Sequence, residues 1–534
     1  MICGESRRSW AELERQTAHV AQVLRVHGVA HQDRVGIYLH KSIESLVAVH
    51  GVLRSGAAYV PLDPLAPASI TASILDECEI SVIVSHELAA PRLIGVLNEW
   101  ADQPNDQPSS RALTVVGVAP DQLGRSHDGA RVADLHRQER LTCVDWGEVA
   151  GYGRIQPQSI DPDGLAYIMY TSGSTGRPKG ISHTHRSGLA YAKAAANLYG
   201  LRPQDRMASL SPLHFDMSTL EFFAGVSVGA TIVLVPEPYL KIPASLSQLL
   251  SEQRCTTLYT VPSLFQQLLH RGVLESRDLS AVRWVLPAGE VFPLEPLRQL
   301  VKLLPQARFS NIYGPAEVNQ CSYYNFGFEA GLPADGMLPI GQPWDAAEFL
   351  IVDENDQTVK PGERGLLLVS STTMMSGYWK RPDLDALAFV ELPNQSGEMV
   401  RWYRTGDVVA RREDEHLVFF GRHDHQVKIR GHRVELETVE SAVSDLPGIA
   451  QVVVGPRPNP TGDTELVAVY QPASDDGQLA SEAKQIEWRR ALSHTLPPYA
   501  VPAQFLLIES FPTTASGKIN RQMVRKQLGA LPVD

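Results

Sequence analysis

Alternating strand-type and helix-type segments predict an α/β protein. It has a large N-terminal domain of doubly wound, mostly parallel sheets with a small β-rich subdomain, and then a small α+β C-terminal domain. Three observations carry this reading. Short apolar runs, such as residues 35–39 and 166–171, recur between stretches of helical period. After Gly341 that rhythm gives way to shorter strands and turns. Beyond a charged crossing from Gly421 to Gly431 lies a compact tail, which sets a boundary near Asp424 and divides the chain into residues 1–423 and 424–534.

The elements follow in order. Trp10, Leu13, Thr17, Val20, Ala21 and Leu24 share one stripe of a helix over 10–27. A strand over 35–39 leads to a helix over 43–53 and a strand entering a proline turn within 56–64. Residues 81–84 continue the rhythm. From about 98 to 159 the chain is polar and rich in Pro, Gly, Asp and Gln, which predicts a solvent-exposed insertion around a few short strands. Strands are then predicted over 166–171, 231–235, 256–259 and 282–286, with helices over 184–199, 220–228, 245–253 and 262–270. Shorter strands follow over 348–353 and 365–370. The tail reads as a helix (435–446), two strands (451–454, 466–470), a helix (481–496) and a strand (504–508).

Bulk properties exclude several classes. At 534 residues the chain is too long for one ordinary domain. A formal net charge of -12 disfavours nucleic acid and anionic membranes, so an anionic ligand has to be held by local donors. Cys3, Cys78, Cys143, Cys255 and Cys321 are scattered, without a C-x-x-C pair. That points to a reducing, cytoplasmic setting without a disulfide framework or structural zinc. No run approaches the roughly 18 apolar residues of a membrane span, and no signal core follows the N-terminus. The 17 histidines form no H-E-x-x-H set, which disfavours a metal centre built by the protein alone.

The stretch from Tyr170 to Gly180 carries the first chemistry. It follows an apolar strand and sets Thr171, Ser172, Ser174 and Thr175 among Gly173, Gly176 and Gly180, with Lys179 near its end. Glycines let backbone N–H groups close on a ligand, hydroxyls add donors and the lysine adds charge, so the stretch suits a polyphosphate. Its spacing, G-x-x-G-x-x-K-G, differs from the G-x-x-x-x-G-K-[ST] loop, so it is a phosphate loop of another type.

Further segments complete a pattern. They are Leu53 to Asp63, Phe215-Asp-Met-Ser218, Asn311-Ile-Tyr-Gly-Pro-Ala-Glu317, Tyr403-Arg-Thr-Gly-Asp407, Gly421 to Gly431, Leu496 to Pro502 and Ser516-Gly-Lys-Ile-Asn-Arg521. In this order, over nearly the whole chain, they resemble the adenylate-forming superfamily. The resemblance is strongest to stand-alone amino-acid adenylation enzymes of nonribosomal peptide synthesis.

The resemblance implies ATP and Mg²⁺ as cofactors and a two-step reaction. A carboxylate attacks the α-phosphate of ATP to give an acyl-adenylate and pyrophosphate, and a pantetheine thiol then takes the acyl group. Two anions meet in the first step, so the site must neutralise charge and align the reactants. By motif position Lys518 is the mobile lysine bridging carboxylate and phosphate, Glu317 is the Mg²⁺ partner, and His214 joins them among the catalytic residues. The nucleotide would be bound by Thr171, Ser172, Gly173, Ser174, Thr175, Gly176, Lys179, Asn311, Ile312, Tyr313, Gly314, Asp407, Phe419 and Arg422. In that set Tyr313 stacks on adenine, Asn311 bonds the base edge, and Asp407 accepts from the ribose hydroxyls with Arg422 assisting. Ala316 departs from the family's usual threonine, which removes a hydroxyl that could reach the α-phosphate. The resemblance also implies a mobile C-terminal domain that rotates about Asp424 and brings Gly431 to a pantetheine tunnel.

For the acid, the resemblance assigns Asp216, beside Phe215, to the substrate ammonium group. A buried carboxylate without a cation would be costly, so this argues for an amino acid over the plain acid of an acyl-CoA ligase. The pocket walls carried over are Met217, Leu220, Thr260, Leu286, Ala288, Gly289, Ile312, Gln320 and Cys321, with Lys518. They are mostly apolar and predict a small aliphatic amino acid. The segment from Phe215 to Glu221 resembles enzymes that activate β-amino acids, such as 3-aminobutanoate, as starter units of macrolactam polyketides. Stand-alone prolyl-activating enzymes are the close rival. No Gly-Gly-x-Ser phosphopantetheine site is present, so the thiol is expected from a separate carrier protein.

Overall fold

The computed structural model of the chain describes residues 1–102, 112–124, 135, 138–171, 178–327, 331–333, 337–345, 347–394, 396–423, 426–459, 464–473, 480–512 and 519–528. Helices begin where the sequence offers a side-chain acceptor. Ser9 caps Trp10–Val26 by accepting from the Glu12 amide while the Glu12 carboxylate accepts from the Ser9 amide. Ser42 and Thr184 open Ile43–Ser55 and His185–Tyr199 with the same reciprocal pattern. These two helices end at Gly56 and Gly200, both left-handed, where glycine meets no Cβ penalty.

The chain divides into two compact units. One comprises Met1–Pro64, Ile74–Tyr170 and Gly180–His423; the other comprises Leu65–Ser73, Thr171–Lys179 and Asp424–Asp534. Among the described residues, the first unit holds two large, mainly parallel sheets and one antiparallel sheet. The first large sheet runs Gly377–Tyr378, Lys179–Thr184, Leu165–Thr171, Ala58–Pro61, Arg34–Ile37, Val82–Val84, Leu113–Val116, Leu141–Val144. The second has Arg206–Ser209 beside Thr257–Thr260, then Trp284–Pro287 and Arg308–Tyr313, all parallel, with Ser322–Gly327 antiparallel beyond them. Ala347–Val352, Arg364–Ser371, Met399–Arg411, Phe389–Pro393 and Leu417–Arg422 form the antiparallel sheet, the β-rich part expected after Gly341.

In the second unit, Ile449–Pro458, Thr464–Pro472 and Gln504–Leu507 form a sheet, accompanied by helices Leu436–Ser444, Glu482–Leu492 and Arg521–Leu528. Buried Glu440 ties this unit together. It accepts from Arg521 and Arg525, both at 2.8 Å, and from the Val454 amide at 2.9 Å. The two-domain α/β architecture read from the sequence is therefore the one observed.

Two expectations are corrected. The short strands expected within 98–159 are present, but those described do not belong to a solvent-exposed insertion: Leu113–Val116 and Leu141–Val144 extend the first large sheet in parallel, and Leu113–Val116 is buried throughout. Averaging a four-residue apolar strand with its polar flanks hides its burial. Residues 220–228 do not begin as an α-helix: Leu220–Gly225 is a π-helix. The segment is only six residues long, too short for its apolar period to tell an i→i+5 turn from an α-helical one. His50 Nε2 lies 3.0 Å from the Phe222 carbonyl within it.

Candidate active site

The site is built at the carboxyl ends of parallel strands, where open α/β sheets place ligands. Thr257–Thr260, Trp284–Pro287 and Arg308–Tyr313 are consecutive neighbours, with Thr260 opposite Pro287 and Ala288 bridged to Ile312. Thr260, Leu286, Ala288 and Ile312 therefore meet along one edge. Gly289 follows Ala288 with φ +88, a conformation that suits glycine. The loop after the adjacent strand Arg206–Ser209 brings His214, Phe215 and a 3-10 turn, Asp216–Ser218, to the same edge. Met217, Leu220, Leu286, Ala288 and Ile312 share one apolar cluster.

Asp216 is half-buried, and its Oδ1 accepts from the Met217 amide at 2.9 Å. Burial pushes the phenols of Tyr167, Tyr191 and Tyr259 up, and the Asp216 carboxylate adds to each shift. Three buried tyrosines thus lie within electrostatic range of the carboxylate. No one-dimensional pattern announces them, because each comes from a different helix or strand. Gln320 joins this side through its Nε2, which donates to the Tyr199 hydroxyl at 2.7 Å.

Cys321 places its thiol 3.6 Å from the Tyr313 carbonyl and packs in a cluster with Val318 and Tyr378. His214 Nε2 stands 3.8 Å from Asp63 Oδ2, with its ring tilted against Phe215.

Strand alternation separates the two ends of the site. Ile312 belongs to the amino-acid cluster, whereas Tyr313 packs with the Cys321 cluster. The Tyr313 hydroxyl donates to Asp407, and Arg422 Nη1 donates to Asp407 Oδ1 at 2.8 Å. Asp407 and Arg422 are direct cross-strand partners, beside a register shift at Val408/Val409 that turns the strand locally. Phe419 is the cross-strand partner of Val409 and packs on the same cluster as Tyr313. Asn311 is buried, and its Nδ2 donates to the Pro339 carbonyl at 2.7 Å. Gly314 follows. A Cβ there would stand 1.7 Å from the Asn319 carbonyl oxygen, so only glycine fits this close passage of two backbones.

Glu317 is fully buried, and its Oε1 accepts from the Tyr378 hydroxyl at 2.8 Å. A carboxylate whose orientation is held this way supplies the oxygen donor that a hard divalent cation takes, so the residue fits Mg²⁺. His183 stacks on Tyr167 and bonds the Ala316 carbonyl at 3.0 Å. The residue in the family's threonine position is thus held through its backbone. Burial drives the His183 imidazole down to about 4, partly opposed by the Ala316 carbonyl and by Glu317.

Thr171 ends one strand and Lys179 begins the next. Ser172, Gly173, Ser174, Thr175, Gly176, the hinge residue Asp424 and Lys518 lie outside the described residues. Gly431, with φ +80, forms with Arg430 the two-residue turn between Gln426–Ile429 and His432–Glu435, which accounts for a glycine there. Among the described residues no helix is long and apolar enough to cross a membrane.

A family model described as AMP-binding enzyme matches residues 1–379, and a second, AMP-binding enzyme C-terminal domain, matches residues 438–518. The chain belongs to the AMP-binding enzyme family and is an adenylating ligase.

Among curated relatives it is 32% identical to an L-proline--[L-prolyl-carrier protein] ligase of Streptomyces coelicolor, over 96% of this chain and 91% of the relative. A ligase of the same name from Pseudomonas fluorescens is 29% identical, over 97% of this chain and 94% of that protein. The chain is also 32% identical to a linear gramicidin synthase polypeptide of Brevibacillus parabrevis, over 98% of this chain but only 9% of that much longer protein. Among solved structures, the Vibrio cholerae adenylation domain AlmE in complex with glycyl-adenosine-5'-phosphate superposes with a TM-score of 0.80. That match has 23% identity and covers 99% of this chain and 95% of the other, which shows the shared fold.

Proposed function

We propose that this ligase uses ATP to adenylate a small, uncharged amino acid and then loads it onto the phosphopantetheine thiol of a carrier protein supplied in trans. The observation that carries this is Asp216: one carboxylate set among buried tyrosines and apolar walls, where an ammonium group is its natural counter-charge. In the first step a carboxylate oxygen of the substrate bonds to the α-phosphorus and the bond to pyrophosphate breaks. In the second the thiol attacks the acyl carbon and AMP leaves. Asp407, oriented by Arg422 and Tyr313, holds the ribose. Lys518 neutralises the meeting anions in the first step and withdraws when residues 424–534 rotate about Asp424. Glu317 would hold Mg²⁺, which when bound offsets phosphate charge.

Within this class, the segment from Phe215 to Glu221 and the aliphatic walls support a β-amino acid such as 3-aminobutanoate. A second reading, proline, is favoured by the two full-length prolyl-carrier-protein ligases. Pyrophosphate exchange with 3-aminobutanoate, β-alanine, proline, valine, alanine and their des-amino acids tests all of this. Amino acids should exchange well above their des-amino counterparts. A plain acid that matches or exceeds its amino partner would refute amino-acid specificity and favour an acyl-CoA ligase.

A further inference from the structure

The segment that carries Asp216 is slung between two stems. One is Ser209, the last residue of the strand Arg206–Ser209; the other is the π-helix Leu220–Gly225. The segment is braced from within. The Ser218 hydroxyl donates to the Phe215 carbonyl at 2.7 Å, and the Thr219 hydroxyl donates to the Asp216 carbonyl at 2.6 Å. Such a segment is stiff, so its stems set where the Asp216 carboxylate stands. Both stems are held from one stretch of chain. Lys41, just before the helix Ile43–Ser55, donates through Nζ to the Ser209 carbonyl at 2.8 Å. His50, within that helix, lies with Nε2 3.0 Å from the Phe222 carbonyl. A carbonyl only accepts, so His50 is the donor there.

Lys41 is 6% exposed and Glu221, in the first turn of the π-helix, is 1% exposed. Burial disfavours the charged form of each, and each charge partly offsets that cost for the other. Glu221 Oε2 is buried and, among the described residues, has no hydrogen-bond partner, so Lys41 matters to it as a counter-charge. Buried ion pairs add little stability over apolar side chains of similar volume, so this one is better explained by the geometry it fixes. We infer that Lys41 and His50 are positioning residues that clamp the two stems of the Asp216 segment, with Glu221 as the counter-charge of Lys41, and so hold the Asp216 carboxylate where a substrate ammonium group meets it. This rests on the amino-acid adenylation reading and deepens it. Both residues act through Asp216, and a misplacement of about 1 Å at a recognition group can cost about 100-fold in rate.

The test is pyrophosphate exchange by the full chain, with the best amino acid of the panel and its des-amino analogue, at a temperature where melting curves show each variant folded. Lys41→Met and His50→Leu should each raise the amino-acid KM about 10-fold or more and narrow the preference for the amine by a similar factor. The KM for ATP should stay within about 3-fold. Lys41→Arg and His50→Gln keep a donor and should recover most of the loss. Lys41→Met strands the Glu221 charge; if that variant does not fold, Lys41→Met/Glu221→Gln, which removes both charges, takes its place beside His50→Leu. The inference is overturned if the apolar variants keep the wild-type amino-acid KM and amine preference. It is also overturned if the two KM values rise together, or if the donor-keeping variants do no better than the apolar ones. A wild type that exchanges with no amino acid would remove the parent reading, and this one with it; a wild type that prefers the amine, with variants that prefer it equally, would remove this one alone.

Discussion

Removing the Asp216 carboxylate should separate amine recognition from the rest of the chemistry. The group is half-buried, within electrostatic range of Tyr167, Tyr191 and Tyr259, which are 1%, 0% and 4% exposed. Truncating one partner of a buried, hydrogen-bonded charge pair costs about 2–5 kcal/mol, and the partial exposure places this pair in the lower part, at about 2–4 kcal/mol. At roughly 1.4 kcal/mol per decade, Asp216→Ala should lower kcat/KM for the amino acid about 30- to 1,000-fold. With ATP bound around Asp407, as proposed, its KM should move less than about 3-fold. The decisive form is a cycle: wild type and Asp216→Ala, each assayed by pyrophosphate exchange with an amino acid and its des-amino analogue. The variant should lose most of the preference for the amine, with an interaction energy of about 2 kcal/mol or more. If both enzymes discriminate equally, the ammonium group is bound somewhere else and the reasoning fails.

Other consequences follow from the same geometry. Asp407→Asn leaves Arg422 without its charged partner at 2.8 Å and should raise the KM for ATP about 10- to 100-fold in the exchange assay, with the amino-acid KM nearly unchanged. Equal effects on both would contradict a nucleotide role. Gly314→Ala forces a methyl to within 1.7 Å of the Asn319 oxygen and should destabilise the fold by about 3 kcal/mol in urea denaturation; a loss under about 1 kcal/mol would show that the backbone passage is not tight. His183 is held at about 4 against an ordinary 6.5, chiefly by burial, so the folded state binds fewer protons between these values. Its contribution is fully present above about pH 6.5 and lost as pH falls towards 4, a change of about 3 kcal/mol. His183→Gln should reduce the slope of unfolding free energy against pH in that window by nearly one proton, and an unchanged slope would disprove the assignment.

The fold is legible wherever an element is long or its period is clean. Trp10–Val26 and His185–Tyr199 show one apolar stripe and a capping side chain each. Short strands are legible where they are apolar and β-branched, as at Val82–Val84 and Thr231–Leu234, and legibility fails at Arg206–Ser209, which has no β-branched residue and takes its burial from its neighbours in the sheet. It also fails at Leu220–Gly225, where the i→i+5 bonding lasts for about one turn, too short for a period to reveal which carbonyl meets which amide.

The site divides along a similar line. Asp216, Glu317 and Asp407 are visible because each sits in a segment that carries the family resemblance. The tyrosines around Asp216 and the Tyr378 hydroxyl on Glu317 are not, because separate elements contribute them one at a time. Gln320 and Cys321 show why position alone is an insufficient guide. They are adjacent, just before the strand Ser322–Gly327, and motif position assigns both to one wall, yet their side chains meet different neighbours. Gln320 reaches the Tyr199 hydroxyl, whereas the Cys321 thiol lies against the Tyr313 carbonyl, so tertiary packing and not sequence position sets what each of two consecutive residues touches.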